Sequence, residues 1–131
     1  MKQVLDFLNK AGVHYLATVE GDQPRVRPLG FVMDFDGKLA FCTDNGKNMY
    51  KQLIANPKAE ICAYDGAGNT LRITGKAVFA TTAESQQKAL DIMPDLKNIY
   101  AVGDGIFEIF YMDEAKAICS SMSGESKELE L

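Results

Sequence analysis

Arginine is scarce in this chain, and two of its three arginines stand two positions apart within residues 24–28. Side chains two residues apart on a strand project from the same face, so Arg25 and Arg27 would present two guanidinium groups side by side. Such a pair suits a planar or phosphorylated anion, because each guanidinium offers several donors in a fixed plane. The stretch is therefore a candidate anion site. The alternative is a solvated strand face on which the arginines pair with Glu20 or Asp22.

A second stretch that could bind a ligand covers residues 41–48, Phe-Cys-Thr-Asp-Asn-Gly-Lys-Asn. It is typical of a strand end, a glycine turn and the start of a helix, an arrangement that often seats a phosphate group. The alternative is that Gly46 and Lys47 only begin a helix and bind no ligand. Pro28, inside the preceding strand pattern, removes a ladder donor and so predicts an edge or bulge where backbone groups stay free for a ligand.

Composition limits the function classes. The 131 residues fit one domain, residues 1–131, and no apolar run is long enough to span a bilayer. The first residues alternate charged and apolar side chains too often for a signal peptide, so we expect a cytoplasmic protein that does not enter a membrane. The net charge of −4 and the pI near 4.9 argue against nucleic acid as a partner.

The remaining reactive side chains favour no metal site or catalytic triad. The three cysteines form no CxxC pair and lie in apolar stretches, which indicates buried thiols in a reducing compartment. His14 is the only histidine, so we expect it to be structural and expect no metal site. No P-loop, dinucleotide fingerprint or GxSxG motif is present. Because side-chain acid and base groups are poorly supplied, an enzyme of this sequence would need a bound cofactor to carry out the reaction.

Periodicity predicts how these residues are positioned. Asp36-Gly37 is a strong hairpin signal, and with the pattern before it predicts a four-stranded meander over residues 14–43. A helix over 48–56 would direct Met49, Tyr50, Leu53 and Ile54 inward. The other predicted elements are helices over 2–12, 84–93 and 96–100 and strands over 59–64, 70–79, 106–112, 115–122 and 127–131. The fold class is mainly β with flanking helices, a closed or nearly closed antiparallel barrel.

The order of these elements resembles a known family, the FMN-binding split barrels related to pyridoxamine 5'-phosphate oxidase. The resemblance is greatest to the short members grouped with nitroimidazole-resistance and general-stress proteins. Its strongest portions are residues 15–29, 39–57 and 71–77. The resemblance implies a split antiparallel β-barrel, FMN as the cofactor, and a homodimer with the flavin at the interface.

The resemblance also implies roles for individual residues. Arg27, Pro28 and Leu29 would meet the isoalloxazine ring and the phosphate. Lys47 would reach the phosphate from the helix start with Asn48 beside it, where the larger oxidases carry an Arg-Lys pair. The full implied cofactor-binding set is Arg25, Arg27, Pro28, Leu29, Cys42, Thr43, Lys47, Asn48, Thr70 and Arg72.

Four further members of this set have distinct implied positions. Cys42 and Thr43 match the strand end beside the flavin chain, where a hydroxyl can bond phosphate. Arg72, together with Thr70, would approach the pocket from the other subunit.

The implied activity is that of a small flavin-dependent oxidoreductase. The donor would be a reduced nicotinamide or a similar reductant, and the acceptor would be a small aromatic or heteroaromatic molecule. Because the chain is shorter than the full oxidases, we expect it to lack their C-terminal substrate-binding extension, and pyridoxamine phosphate is not the expected substrate. Three alternatives stay open: a non-catalytic flavin-binding or stress-associated protein, a deazaflavin-binding relative, and a cofactor-free barrel that works through an interaction surface.

Overall fold

Eight antiparallel strands form one continuous sheet in the computed structural model, which describes residues 1–131. Along the chain the elements are α1 (Lys2–Ala11), β1 (His14–Glu20), β2 (Gln23–Leu29), β3 (Met33–Phe35), β4 (Lys38–Asp44), α2 (Asn48–Ala55), β5 (Lys58–Tyr64), β6 (Asn69–Phe79), α3 (Ala83–Ile92), a short 3-10 helix (Pro94–Asn98), β7 (Phe107–Ser121) and β8 (Ser126–Leu129). The predicted class, a mainly β split barrel with flanking helices, is confirmed.

The order of strands in the sheet is β2-β1-β5-β6-β7-β4-β3, with β8 paired to β7. The hairpins β1–β2 and β3–β4 form as predicted, and Asp36 and Gly37 both adopt positive φ in the second turn. The predicted meander is wrong, because β2 and β3 lie at opposite ends of the sheet. Pro24 and Pro28 lack N–H groups, so β2 has few donors to offer a second neighbour and remains an edge.

Strand β7 runs unbroken through the position where the sequence predicted a turn. Its pairing with β6 shifts register between Thr74 and Lys76, and Glu114 lies in the left-handed region with φ 50°. This bulge takes up one extra residue of β7 and bends the strand. Gly75 is required opposite the bulge, since a Cβ there would lie 2.8 Å from the carbonyl oxygen of Asp113.

Where β4 pairs with β7, the two strands pack against a core cluster on each face, and this holds the strand end before α2 in place. Phe41 and Phe110 stack in the larger core cluster, beneath α1 and α2, with ring centroids 5.5 Å apart. Their neighbours Ala40 and Ile109 face the opposite way, into a second cluster beneath α3. Side chains that alternate between two cores leave the strand one register only.

The helices are short, and none is long and apolar enough to cross a membrane. In α2 the predicted inward residues Met49 and Leu53 are buried, but Ile54 is 58% exposed. Gln52 takes an inward place instead, because positions three and four residues after Met49 share its helix face. A polar amide thus lies in the buried stripe of this helix.

Candidate functional site

A cavity of about 620 Å³ lies between β2, the end of β4 and the start of α2. This volume falls within the range of small-molecule sites, about 300–1,000 Å³. Its lining residues are Glu20, Arg25, Val26, Arg27, Pro28, Leu29, Cys42, Lys47, Asn48, Met49 and Gln52. The two stretches that the sequence singled out, 24–28 and 41–48, therefore meet at one place although they belong to strands that do not pair.

Arg27 is held firmly at the wall of this cavity. Its partner in the β1–β2 ladder is the buried Leu16, so its side chain points to the barrel side of the sheet. Nη1 donates to Oγ1 of Thr18 at 2.7 Å and to the Leu16 carbonyl at 3.3 Å, and Nη2 donates to Oε1 of Gln52 at 2.6 Å. Partial burial, and secondarily the nearby Arg25, lower the pKa of Arg27, which stays protonated at neutral pH.

Arg25 has a different environment. Its guanidinium donates to Oε1 of Glu20 at 2.8 Å and 3.2 Å, and both side chains are about half exposed. The hydrogen bonds from Arg25, and then that from Gln52, lower the pKa of Glu20, which is ionised at neutral pH. The solvated ion pair considered as an alternative for the arginine pair is therefore correct for Arg25 and incorrect for Arg27.

The start of α2 leaves its first turn without a side-chain cap. Lys47 is the N-cap residue, in an extended conformation, and no side chain accepts a hydrogen bond from the first turn. Helix α3, by contrast, begins with a capping box between Thr82 and Ser85. The uncapped amides of α2, together with the partial positive charge of a helix start, favour an anion beside Lys47 and Asn48.

Cys42 and Thr43 are separated by the alternation of the strand. Cys42 lines the cavity, and burial raises its pKa to about 12, so it is a neutral thiol rather than a nucleophile. Thr43 is buried on the opposite face and lies outside the cavity lining, and its Oγ1 has no hydrogen-bond partner. Adjacent strand residues point to opposite faces, so the two residues do not share one site within the chain.

Thr70 and Arg72 also lie away from the cavity of their own chain. Both are on β6, in register with Tyr64 and Cys62 of β5, and neither lines the cavity. Arg72 forms an ion pair with Glu60 at 3.0 Å. Their expected approach to the site from a second subunit stays a prediction.

The family described as pyridoxamine 5'-phosphate oxidase matches residues 1–104. The chain belongs to this family. No curated protein matches the chain.

Solved structures agree with this family assignment. The chain is 43% identical in sequence to a NimC/NimA family protein from Clostridium acetobutylicum. The match covers 98% of this chain and 93% of that one, with a TM-score of 0.92. General stress protein 26 from Bacillus anthracis shares the fold at 15% identity and TM-score 0.75, over 98% and 97% of the two chains. An FMN binding protein related to pyridoxamine 5'-phosphate oxidase, from Nostoc punctiforme, matches at 17% identity and TM-score 0.68, over 99% and 94%.

The predictions from the sequence did not include the residues that hold Arg27 in place. Thr18 and Gln52 both contact its guanidinium, and neither belongs to the implied cofactor-binding set. A signal for Gln52 was present, since it occupies an apolar position of the α2 stripe and a buried amide needs partners. Elsewhere, no group of three or more His, Cys, Asp or Glu side chains could hold a metal ion.

Proposed function

We propose that the protein binds FMN in this cavity, with the phosphate held between Arg27 and the start of α2. The observation that carries the proposal is that Arg27 lines the cavity, oriented by three hydrogen bonds, without a carboxylate partner. The uncapped first turn of α2 supplies further donors on the same cavity. The FMN binding protein from Nostoc punctiforme supports the choice of cofactor through the shared fold.

The charges of the cavity match a phosphate monoester. Glu20 neutralises Arg25, which leaves Arg27 and Lys47 as positive groups with no ion-pair partner. A phosphate monoester carries about −1.5 to −2 at neutral pH, which two cations complement. Arg27 would bind through its planar fork and Lys47 as a compact charge. The residues present therefore fit the phosphate of FMN.

The chemistry would be that of a small oxidoreductase. The flavin, when bound, supplies hydride or electron transfer. Pro28, Leu29 and Met49 offer apolar surface against which a flat ring can pack, away from water. Cys42 stays a neutral thiol, and Glu20 is tied to Arg25, so neither is a free acid or base. We propose a reduced nicotinamide as donor and a small aromatic or heteroaromatic acceptor.

The test begins with the purified protein. We expect the near-ultraviolet and blue absorbance bands of an oxidised flavin, and the mass of FMN in the small molecule released on denaturation. A reduced nicotinamide should bleach these bands anaerobically, and a heteroaromatic acceptor should restore them with turnover. Bleaching without turnover of any acceptor would favour the non-catalytic alternative, and a released deazaflavin would favour that cofactor. A colourless protein that does not take up added FMN would refute the proposal.

We also propose that the protein is a homodimer that associates through the outer face of β1, β2 and β5. Tyr15 (49% exposed), Val26 and Tyr64 are exposed large hydrophobic residues, and the ladder registers place all three on this face. Contiguous exposed apolar surface is typical of an interface. Arg72 shares the face through its register with Cys62, opposite Tyr15, and so does Val26 of the cavity lining, so the proposed interface would include both Arg72 and an edge of the cavity.

Replacing Tyr15 with aspartate is expected to weaken the dimer by about tenfold or more, because a charge would be buried in an apolar interface. Sedimentation velocity over a range of concentrations measures this change. Ile99→Asp is the matched control, since Ile99 is also a large exposed hydrophobic residue but follows the 3-10 helix, away from this face. If both variants have the mass distribution of the unmodified protein, the interface is placed wrongly.

A further inference from the structure

The three arginines differ in the charge of the groups that hold them. Arg25 pairs with Glu20 at 2.8 Å and Arg72 pairs with Glu60 at 3.0 Å, so each has a carboxylate partner. Arg27 forms no ion pair, and its three acceptors are a backbone carbonyl, a hydroxyl and an amide oxygen. Only Arg27 is thus fixed in orientation while its positive charge remains uncompensated.

Gln52 has a central place in this arrangement. Its side chain is 5% exposed on the inner face of α2. Oε1 accepts from Nη2 of Arg27 and from Oγ1 of Thr18, both at 2.6 Å, and Nε2 donates to Oε2 of Glu20 at 3.3 Å. The amide therefore joins strands β1 and β2 to the helix whose start carries Lys47.

We propose that Gln52 is a positioning residue that holds the Arg27 guanidinium at the cavity wall with its charge intact. The proposal rests on the proposed flavin binding for its functional consequence. A guanidinium fixed in advance binds an anion better, because less rotamer freedom is lost when the anion arrives. By linking β2 to α2, Gln52 also sets the position of Arg27 relative to the helix start.

An amide suits this position better than the other side chains of similar size. A glutamate at position 52 would accept from Arg27 equally well, but it would neutralise the guanidinium and stand beside Glu20. A methionine would fill the same space and leave Arg27 and Thr18 without this acceptor. Only a neutral acceptor both orients Arg27 and leaves its charge available to a ligand.

The decisive experiment is a double-mutant cycle on FMN affinity. We expect Gln52→Met to weaken FMN binding about tenfold in the unmodified protein, and less than about twofold in the Arg27→Ala background, because its effect passes through Arg27. Gln52→Glu should weaken FMN binding while the protein stays folded. The matched control is Gln86→Met, which removes another buried glutamine that bridges α3 to the Phe107 carbonyl. Equal effects of Gln52→Met in the two backgrounds would overturn the proposal.

A second measurement separates this proposal from the proposed function. The side-chain ¹⁵N signals of Arg27 report rotation of the guanidinium without any ligand. We expect slow rotation in the unmodified protein and fast rotation in both Gln52→Met and a Thr18→Val variant. If the protein takes up no FMN but Arg27 behaves in this way, the proposed function fails and the positioning role stands. If Arg27 rotates freely in the unmodified protein, or is unaffected by Gln52→Met, the positioning role fails even where FMN binds.

Discussion

Replacing Arg27 with alanine is expected to weaken FMN binding by about 1.5–3 kcal/mol, the range for hydrogen bonds to a charged group. Arg25→Ala is expected to cost less than about 1 kcal/mol, because Arg25 is half exposed and already paired with Glu20. The two residues have the same type and stand two positions apart on β2. The difference between the variants therefore measures the environment of each guanidinium rather than the loss of a positive charge.

Fluorescence titration of the apoprotein with FMN measures both affinities. Arg27→Lys keeps the charge but loses the planar fork, so its affinity should lie between those of Arg27→Ala and the unmodified protein. Lys47→Ala is expected to cost an amount similar to Arg27→Ala, since Lys47 is the other unpaired cation on the cavity. If Arg27→Ala and Lys47→Ala both retain flavin as the unmodified protein does, the phosphate is placed wrongly.

The free energy of unfolding is expected to fall by roughly 3 kcal/mol between pH 7 and pH 4 through His14 alone. His14 is 1% exposed, its ring packs edge-on against Phe41 with centroids 5.5 Å apart, and neither ring nitrogen has a hydrogen-bond partner. Burial lowers the pKa of His14 from 6.5 to about 4, an effect that the backbone of Phe31 opposes only in part. The folded state thus resists protonation of this ring.

The direction follows from proton binding. Between pH 6.5 and pH 4 the unfolded chain binds a proton at His14 that the folded protein does not, so acid favours unfolding in this window. Below pH 4 both states are protonated there, and His14 contributes no further change. This group therefore gives its full stabilising effect only above pH 6.5.

Urea unfolding at pH 7 and pH 4 tests the prediction. A His14→Leu variant places an apolar side chain of similar size in the same core and removes the titrating group. The unmodified protein should lose roughly 3 kcal/mol more than the variant between the two pH values, since the acidic residues are common to both. Equal losses in the two proteins would show that His14 does not resist protonation.

Local sequence features predicted the parts of the site well. The Asp36-Gly37 turn, the strand end at 41–44 and the helix after Gly46 all form as expected, because each depends on residues close in the chain. Pro28 also has its predicted position on an edge strand. Seven residues of the implied cofactor-binding set line one cavity: Arg25, Arg27, Pro28, Leu29, Cys42, Lys47 and Asn48.

The pairing of strands that are distant in the sequence could not be predicted in the same way. The sequence pattern does not distinguish a β2–β3 hairpin from two strands at opposite ends of a sheet, because both bury the same apolar residues. The bulge at Glu114 depends on its partner strand, where Gly75 leaves room for the Asp113 carbonyl. Which of Cys42 and Thr43 meets the cavity depends on which face of β4 turns to the barrel core.

By itself, then, the sequence determined the fold class, the local turns and the two stretches that carry the cations, since propensity and periodicity act over a few residues. The tertiary structure alone decided that these stretches meet, that Arg25 is neutralised, and that Arg27 is not. The reason is physical, because whether a cation is available to bind an anion depends on the side chains that surround it. Those neighbours, Glu20 for one arginine and Gln52 for the other, reach the site from different elements of the fold.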